Sequence, residues 1–202
     1  MLLPLFDTGE TVLADDERGR IAYVPGFAPA DRARAWFAAL REGVQWKAER
    51  RRMYDREVDV PRLTSHYRLE PPDHAVPSAI LEAAPLVVSR VGAPFNSVGL
   101  NFYRDGRDSV APHNDHLEVL VEGFPIALVS LGSPRRMTIR AKEPPRTSLY
   151  VDLAPGSLLV MSYATQLHYT HGIPKTKEPV GERISLAFRV KPATPEGADP
   201  YR

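Results

Sequence analysis

The sequence predicts an α+β chain: a jelly-roll sandwich of two β-sheets with helices packed outside one of them. Three observations predict it. Twenty prolines are spread through 202 residues, which argues against long helices and for short elements joined by turns. Two segments of the N-terminal half still carry helical spacing. From Val98 onward, short β-rich runs follow one another with turns between them.

The first helix is expected in APADRARAWFAALREGVQW, where Asp31 would cap the start, Ala33, Trp36, Phe37 and Leu40 fall near one face, and Gly43 ends it. The second is expected in SAILEAAPLVVSRVG after Pro77. Ile80, Leu81 and Leu86 lie there at helical spacing, Pro85 marks a kink or break, and Gly92 marks a stop. Trp36 and Trp46 read as core. The strands are expected in VGLNFYR, IALVSLG, RMTIRA, SLYVDL, SLLVMSYA and RISLAFRV. PIALVSLG places Ile126, Leu128 and Ser130 on one face and Ala127, Val129 and Leu131 on the other, so it should be buried on both sides. Met161 and Tyr163 are expected to fill the barrel.

With 43% hydrophobic and 25% charged residues, the chain suits a globular protein with one core, and a single domain over residues 1–202 is expected. No run of about 18 apolar residues occurs, and MLLPLFDTGETVL breaks at Pro4 and Asp7 without a basic flank or a small-residue cleavage site. A cytoplasmic monomer without membrane association is the expectation. Cysteine is absent, which excludes disulfides, thiolate metal ligands and cysteine nucleophiles, so any metal must sit on His and carboxylate. A net charge of +1 gives no strong global pull toward nucleic acid. The tail 192–202 lacks apolar periodicity and reads as disordered, and His74, among prolines, reads as a loop residue.

The chemistry is expected on the β region. His113 and Asp115 are two residues apart, so on an extended segment they project from one face and could share an ion. A second histidine from another strand would complete the set, and LHYTHGIP offers both His168 and His171. Two histidines and a carboxylate on one side of Fe(II) leave positions open for a bidentate cosubstrate and O₂. Alone, H-x-D is a weak signal. RISLAFR strengthens it, because Arg183 and Arg189 share a face with Ser185 and Ala187, while Ile184, Leu186 and Phe188 face the other way. Two arginines on an otherwise buried strand call for carboxylate partners, which a dicarboxylate would supply.

The ordered set NFYRDGRDSVAPHND, PIALVSLGSPRRMTIR, LLVMSYATQLHYTHGIP and RISLAFR, covering about residues 98–191, resembles the AlkB-type oxidative dealkylases of the Fe(II)/2-oxoglutarate oxygenases. That resemblance implies a double-stranded β-helix core over 98–191, preceded over about residues 20–97 by helices and a substrate lid. It implies Fe(II) on His113, Asp115 and His171, which chooses His171 over His168 as the histidine twelve positions before Arg183. It implies 2-oxoglutarate bound by Asn101 and Tyr103, with Arg183 at its distal carboxylate and Arg189 at the end nearer the metal. The implied reaction hydroxylates the alkyl carbon on a base nitrogen, releasing formaldehyde, succinate and CO₂, with 1-methyladenine and 3-methylcytosine as typical bases. The expected partners are O₂ and alkylated nucleic acid, foremost single-stranded DNA, with the base flipped into the pocket.

The resemblance places the lid in RRMYDREVDVPRLTSHYRLEPP. From Lys47 to Arg68 it holds seven basic and four acidic residues interleaved with Tyr54, His66 and Tyr67. Tyr67 is the expected stacking residue, and Arg62 and Arg135 the expected contacts to phosphate, with Arg136 beside the latter in GSPRRM. Where many members carry acidic residues directly after H-x-D, this chain has His116, Leu117 and Glu118, so Glu118 alone keeps a carboxylate near the base. Ser185 stands where members often have Asn. Two other functions fit the residues: a 2-oxoglutarate oxygenase acting on protein or a small molecule, and a jelly-roll binding module without catalysis.

Overall fold

The computed structural model describes residues 9–193 except 54, 55 and 74. Tyr54, His74 and most of the tail, read above as a lid aromatic, a loop residue and a disordered segment, lie outside the described residues. In chain order the elements are β1 (Thr11–Asp16), β2 (Gly19–Val24), α1 (Ala30–Gly43), β3 (Lys47–Met53), β4 (Arg56–Arg68), α2 (Ser78–Val91), β5 (Ser97–Tyr103) and β6 (Val110–His113). There follow β7 (Ile126–Gly132), β8 (Arg135–Ala141), β9 (Ser148–Leu153), β10 (Ser157–Met161), α3 (Tyr163–His168), β11 (Tyr169–Ile173) and β12 (Arg183–Arg189).

The strands form two sheets. The major sheet has eight strands in the order β1-β2-β10-β7-β12-β5-β4-β3, and the minor sheet has four in the order β6-β11-β8-β9. All pairings are antiparallel, as expected of a jelly roll. The alternation along β7 sorts its side chains as the sequence predicts. Ala127, Val129 and Leu131 pack toward the helices, while Ile126 and Leu128 pack between the sheets. β12 does the same, with Ile184, Leu186 and Phe188 on the helix side. Leu131 is fully buried, so Leu131→Ala should cost about 2–5 kcal/mol, read as a lowered Tm. Leu131 faces away from the pocket described below, so substrate-free ligand binding at low temperature should persist.

The helices cover one face of the major sheet, where Trp36 and Leu40 of α1 and Ile80 and Val87 of α2 enter the shared core. Some details differ from expectation. Pro29 rather than Asp31 occupies the N-cap of α1, and Asp31 lies in the first turn, where its charge still suits the helix dipole. In α2 the buried stripe is Ala79, Ile80, Ala83 and Val87, while Leu81 and Leu86 are exposed. Pro85 neither breaks nor ends α2. It sits on the exposed side, where water can satisfy the carbonyl its missing N–H would have bonded. Gly92 ends the helix in the left-handed conformation, φ 73°.

Two hairpins and a short helix escaped the sequence reading. The β1–β2 hairpin extends the major sheet, the β3–β4 hairpin occupies the stretch read as a lid, and residues 163–164, read as the end of a strand, begin α3, which runs to His168. Met161 is buried between the sheets as expected, and Tyr163 packs on that core from the start of α3.

Candidate active site

Antiparallel residues directly opposite one another put their side chains on the same face. In the minor sheet His113 lies directly opposite His171, and their rings approach to 4.5 Å between centroids. β11 passes very close to β6 just after His171, because a Cβ on Gly172 would lie 2.8 Å from the Val110 carbonyl oxygen and 3.0 Å from the Pro112 nitrogen. Glycine at 172 is what lets the two histidine-bearing strands meet here.

β6 ends at His113, so Asp115 is not on the strand, contrary to the extended H-x-D segment expected from sequence. Its carboxylate reaches the histidines from the following loop, and one ligand atom from each of His113, Asp115 and His171 lies within 4.8 Å of the others. His168 ends α3 outside this cluster. The Nδ1 of His113 lies 3.0 Å from the Ala111 carbonyl oxygen, an acceptor that places the ring proton on Nδ1 and leaves Nε2 free for a metal. His113 as a residue is exposed at the mouth of the site, yet its ring is packed against His171.

Burial drives the His171 imidazole down to about 4, and His113 is lowered mainly by burial too. Both rings are therefore neutral and ligand-competent at neutral pH. Burial pushes the Asp115 carboxyl up, but Arg189, whose Nε donates to Oδ2, more than offsets this and leaves it below the usual range. The signs give a test in the metal-free protein. Unfolded, His171 takes a proton near 6.5, and folded it resists until about 4. Stability should thus fall as pH drops through that window, by about 3 kcal/mol. Denaturant melts between pH 7 and 4 measure it; the Asp115 contribution is lost only at lower pH.

Facing this cluster across the sandwich, the major sheet presents a stripe of polar side chains. Arg183 lies opposite Tyr103, Ser185 opposite Asn101 and Ser130, and Thr64 opposite Asn101 from the other side. One pocket is lined by Arg62, Asn101, Tyr103, His113, His171, Arg183, Ser185 and Arg189, over an apolar floor of Ile126, Leu128, Met137 and Ala187. Arg183 is 1% exposed, its Nε donates to Ser130 Oγ at 2.9 Å, and its two terminal nitrogens have no partner. Its guanidinium lies 5.0 Å from the Tyr103 ring centre. A buried cation with two orphaned donors is costly unless an anion enters. The donor chemistry fits a dicarboxylate at the arginine and a divalent metal at the His/His/Asp cluster.

The predicted substrate contacts fare less well. Arg62 does line the pocket, with its Nε donating to Asn101 Oδ1 at 2.6 Å. Tyr67 does not stack over it: β4 is a strand, Tyr67 has the parity of Leu63, and both pack on the helix-side core. The neighbour of Tyr67 that shares the pocket-side parity of Arg62 and Thr64 is His66, opposite Gly99, and burial is the main cause of its lowered pKa. Reading RLTSHYR as alternating would have found it. Arg135 is no exposed phosphate contact. It is 4% exposed and donates to the carbonyls of Asp105, Asp108 and Pro174, tying the loop before β6 to the segment after β11. Arg136 is exposed but paired with Asp152. Glu118 lies in a 3-10 turn, exposed and 3.1 Å from His116, outside the pocket lining.

Residues 20–189 match the 2OG-Fe(II) oxygenase superfamily. The chain is 32% identical over 197 residues to the alpha-ketoglutarate-dependent dioxygenase alkB homolog 3 of Rattus norvegicus, spanning 89% of this chain and 66% of that protein. The Bos taurus counterpart is also 32% identical, with 68% of its length spanned. The chain thus spans about two thirds of the length of these relatives. It is 39% identical over 105 residues to the DNA oxidative demethylase ALKBH2 of Homo sapiens, spanning 48% of this chain and 40% of that protein. The solved structure of OsALKBH1 aligns with a TM-score of 0.59 at 13% identity, over 84% of this chain and 97% of that one, a likeness of fold. No helix among the described residues is long and apolar enough to cross a membrane. A superfamily match from strand β2 to strand β12, together with a-third-identical AlkB relatives, shows that the chain belongs to the 2OG-Fe(II) oxygenase superfamily as an AlkB-type, Fe(II)- and 2-oxoglutarate-dependent dioxygenase.

Proposed function

We propose that this dioxygenase removes alkyl groups from base nitrogens of single-stranded DNA, acting on 1-methyladenine and 3-methylcytosine as a cytoplasmic monomer. The observation that carries the reading is the buried Arg183 guanidinium, its two terminal nitrogens without a hydrogen-bond partner, in one pocket with His113 and His171 of the His/His/Asp cluster. The similarity to a DNA oxidative demethylase supplies the substrate class.

In this reading His113, Asp115 and His171 hold Fe(II), which with bound 2-oxoglutarate and O₂ supplies the oxidation of an inert C–H bond. The chain's own residues bind and orient. Arg183 receives the distal carboxylate of 2-oxoglutarate on its two terminal nitrogens. Asn101, whose Oδ1 is committed to Arg62, offers its Nδ2 to the cosubstrate, and Tyr103 lies beside Arg183 as a second polar contact. Arg189 acts at the metal end, holding Asp115 in its charged form. The product hemiaminal loses formaldehyde without a protein acid or base, so the site needs only to position the alkyl carbon and exclude water. Arg62, on the β4 edge of the pocket, contacts the entering nucleotide, and the β3–β4 hairpin serves as the lid.

The test is succinate and formaldehyde release with 3-methylcytosine in single-stranded DNA, the same DNA in duplex form, and the free nucleoside. Turnover of the single strand should exceed the other two and fall steeply as salt rises, since phosphate contacts release counterions. The poor placement of Tyr67, Glu118 and Arg135 favours one competing reading, a small-molecule or protein substrate. Iron-dependent succinate without DNA-dependent formaldehyde, insensitive to salt, would decide for it.

A further inference from the structure

Strand pairing fixes two of the three metal ligands: His113 and His171 face each other across β6 and β11. It does not fix the third, because β6 ends at His113 and Asp115 lies in the loop beyond. What holds the Asp115 main chain is a side chain from α3, fifty-one positions later. The Asp115 N–H donates to Gln166 Oε1 at 3.0 Å. Gln166 is 1% exposed, buried more completely than any of the ligands it serves.

We propose that Gln166 is a positioning residue for the metal centre, setting where the Asp115 carboxylate stands; this rests on the reading that His113, Asp115 and His171 hold the metal. The amide is itself held at its nitrogen as well as its oxygen. Its Nε2 donates to Thr165 Oγ1 at 3.2 Å, and Thr165 Oγ1 donates to the Ser162 carbonyl at 2.6 Å. Ser162 is bound to β2 twice, by its N–H to the Arg20 carbonyl at 2.9 Å and by its Oγ from the Arg20 N–H at 2.9 Å. The backbone carbonyl of Gln166 accepts from Lys142 Nζ at 2.9 Å, and the Lys142 N–H donates to the His168 carbonyl at 2.9 Å, so the residue just after β8 braces the same turn. Gly19, at φ 117°, comes so near that a Cβ there would lie 2.5 Å from Ser162 Oγ and 2.9 Å from the Thr165 nitrogen. The short helix is therefore wedged between the β1–β2 turn and the end of β8.

A six-residue helix pinned at both ends with its one buried amide turned on a ligand's backbone is a rigid rest for that ligand. Arg189 grips the Asp115 carboxylate and Gln166 grips its N–H, from two different elements. Removing the acceptor leaves a buried N–H without a partner, and the loop must move to find one. The carboxylate then leaves its place beside the histidines.

The experiment titrates the metal-free full-length protein with Co(II) and reads both the dissociation constant and the d–d absorption spectrum. Gln166→Leu, similar in size but unable to accept, should bind Co(II) about 10- to 100-fold more weakly, with an altered spectrum. Gln166→Glu, which keeps an acceptor oxygen, should bind more tightly than Gln166→Leu. Leu153→Ala, a buried truncation outside the pocket, serves as the destabilised control: its Tm should fall while its Co(II) affinity and spectrum stay those of the wild type. Wild-type affinity and spectrum in Gln166→Leu would overturn the inference alone. Absence of Co(II) binding in the wild type, or undiminished binding in His113→Ala, would overturn the metal-site reading and this inference with it.

Discussion

Arg183→Met should make the metal-free, cosubstrate-free protein more stable while abolishing its use of 2-oxoglutarate. Arg183 is among the largest fully buried side chains, with two terminal nitrogens lacking a hydrogen-bond partner and only the Nε bond to Ser130 and the neighbouring Tyr103 in return. Replacing a buried, poorly paired charge with an apolar side chain of similar length is commonly neutral or stabilising by about 1–4 kcal/mol. The same change removes the planar pair of donors that meets a carboxylate. Losing one partner of a buried charge pair costs about 2–5 kcal/mol, which is roughly 30- to 5,000-fold in the 2-oxoglutarate dissociation constant. Calorimetric titration with 2-oxoglutarate and a melting curve on the same sample measure both halves. A variant that melts lower and binds 2-oxoglutarate normally would mean that Arg183 is a structural cation.

His171→Ala should eliminate metal-dependent turnover, and His168→Ala should leave it intact, although the two histidines stand three positions apart in one short segment. Only His171 belongs to the His/His/Asp cluster, and it is 6% exposed. Losing a ligand itself must cost more than the roughly 100-fold that follows from losing an outer partner of a ligand. Iron content after dialysis and succinate release check the claim. The variant carries its own control for folding. With the depressed imidazole gone, the fall in stability between about pH 6.5 and 4 should flatten, which a misfolded protein would not show.

On the central strands of the major sheet, alternation alone sorts inside from outside, and there the sequence reading and the structure agree. RISLAFR and PIALVSLG are buried on both faces, so parity had to separate the apolar helix side from the pocket side, and it did. Tyr67 was misplaced for the complementary reason. Its segment is rich in charge and reads as a loop, but pairing with β5 makes it a strand, and the same parity rule then sends Tyr67 to the core and His66 to the pocket side. Arg135 was read as part of a turn, whereas the turn ends before it. As the first residue of β8 it faces inward, where three carbonyls await a donor. Gln166 gave no signal, because its role depends on a loop fifty-one positions away and on a helix too short to show periodicity.

The strand that carries Arg183 and Arg189 is the last of the described strands to be synthesised, yet it lies in the middle of the major sheet, between β7 and β5. Until residues 183–189 leave the ribosome, β5 and β7 have no common neighbour and the sandwich cannot close. A nascent chain of this protein therefore carries the histidines, the aspartate, Asn101 and Tyr103 before it carries Arg183, the cation that would receive the distal carboxylate of the cosubstrate.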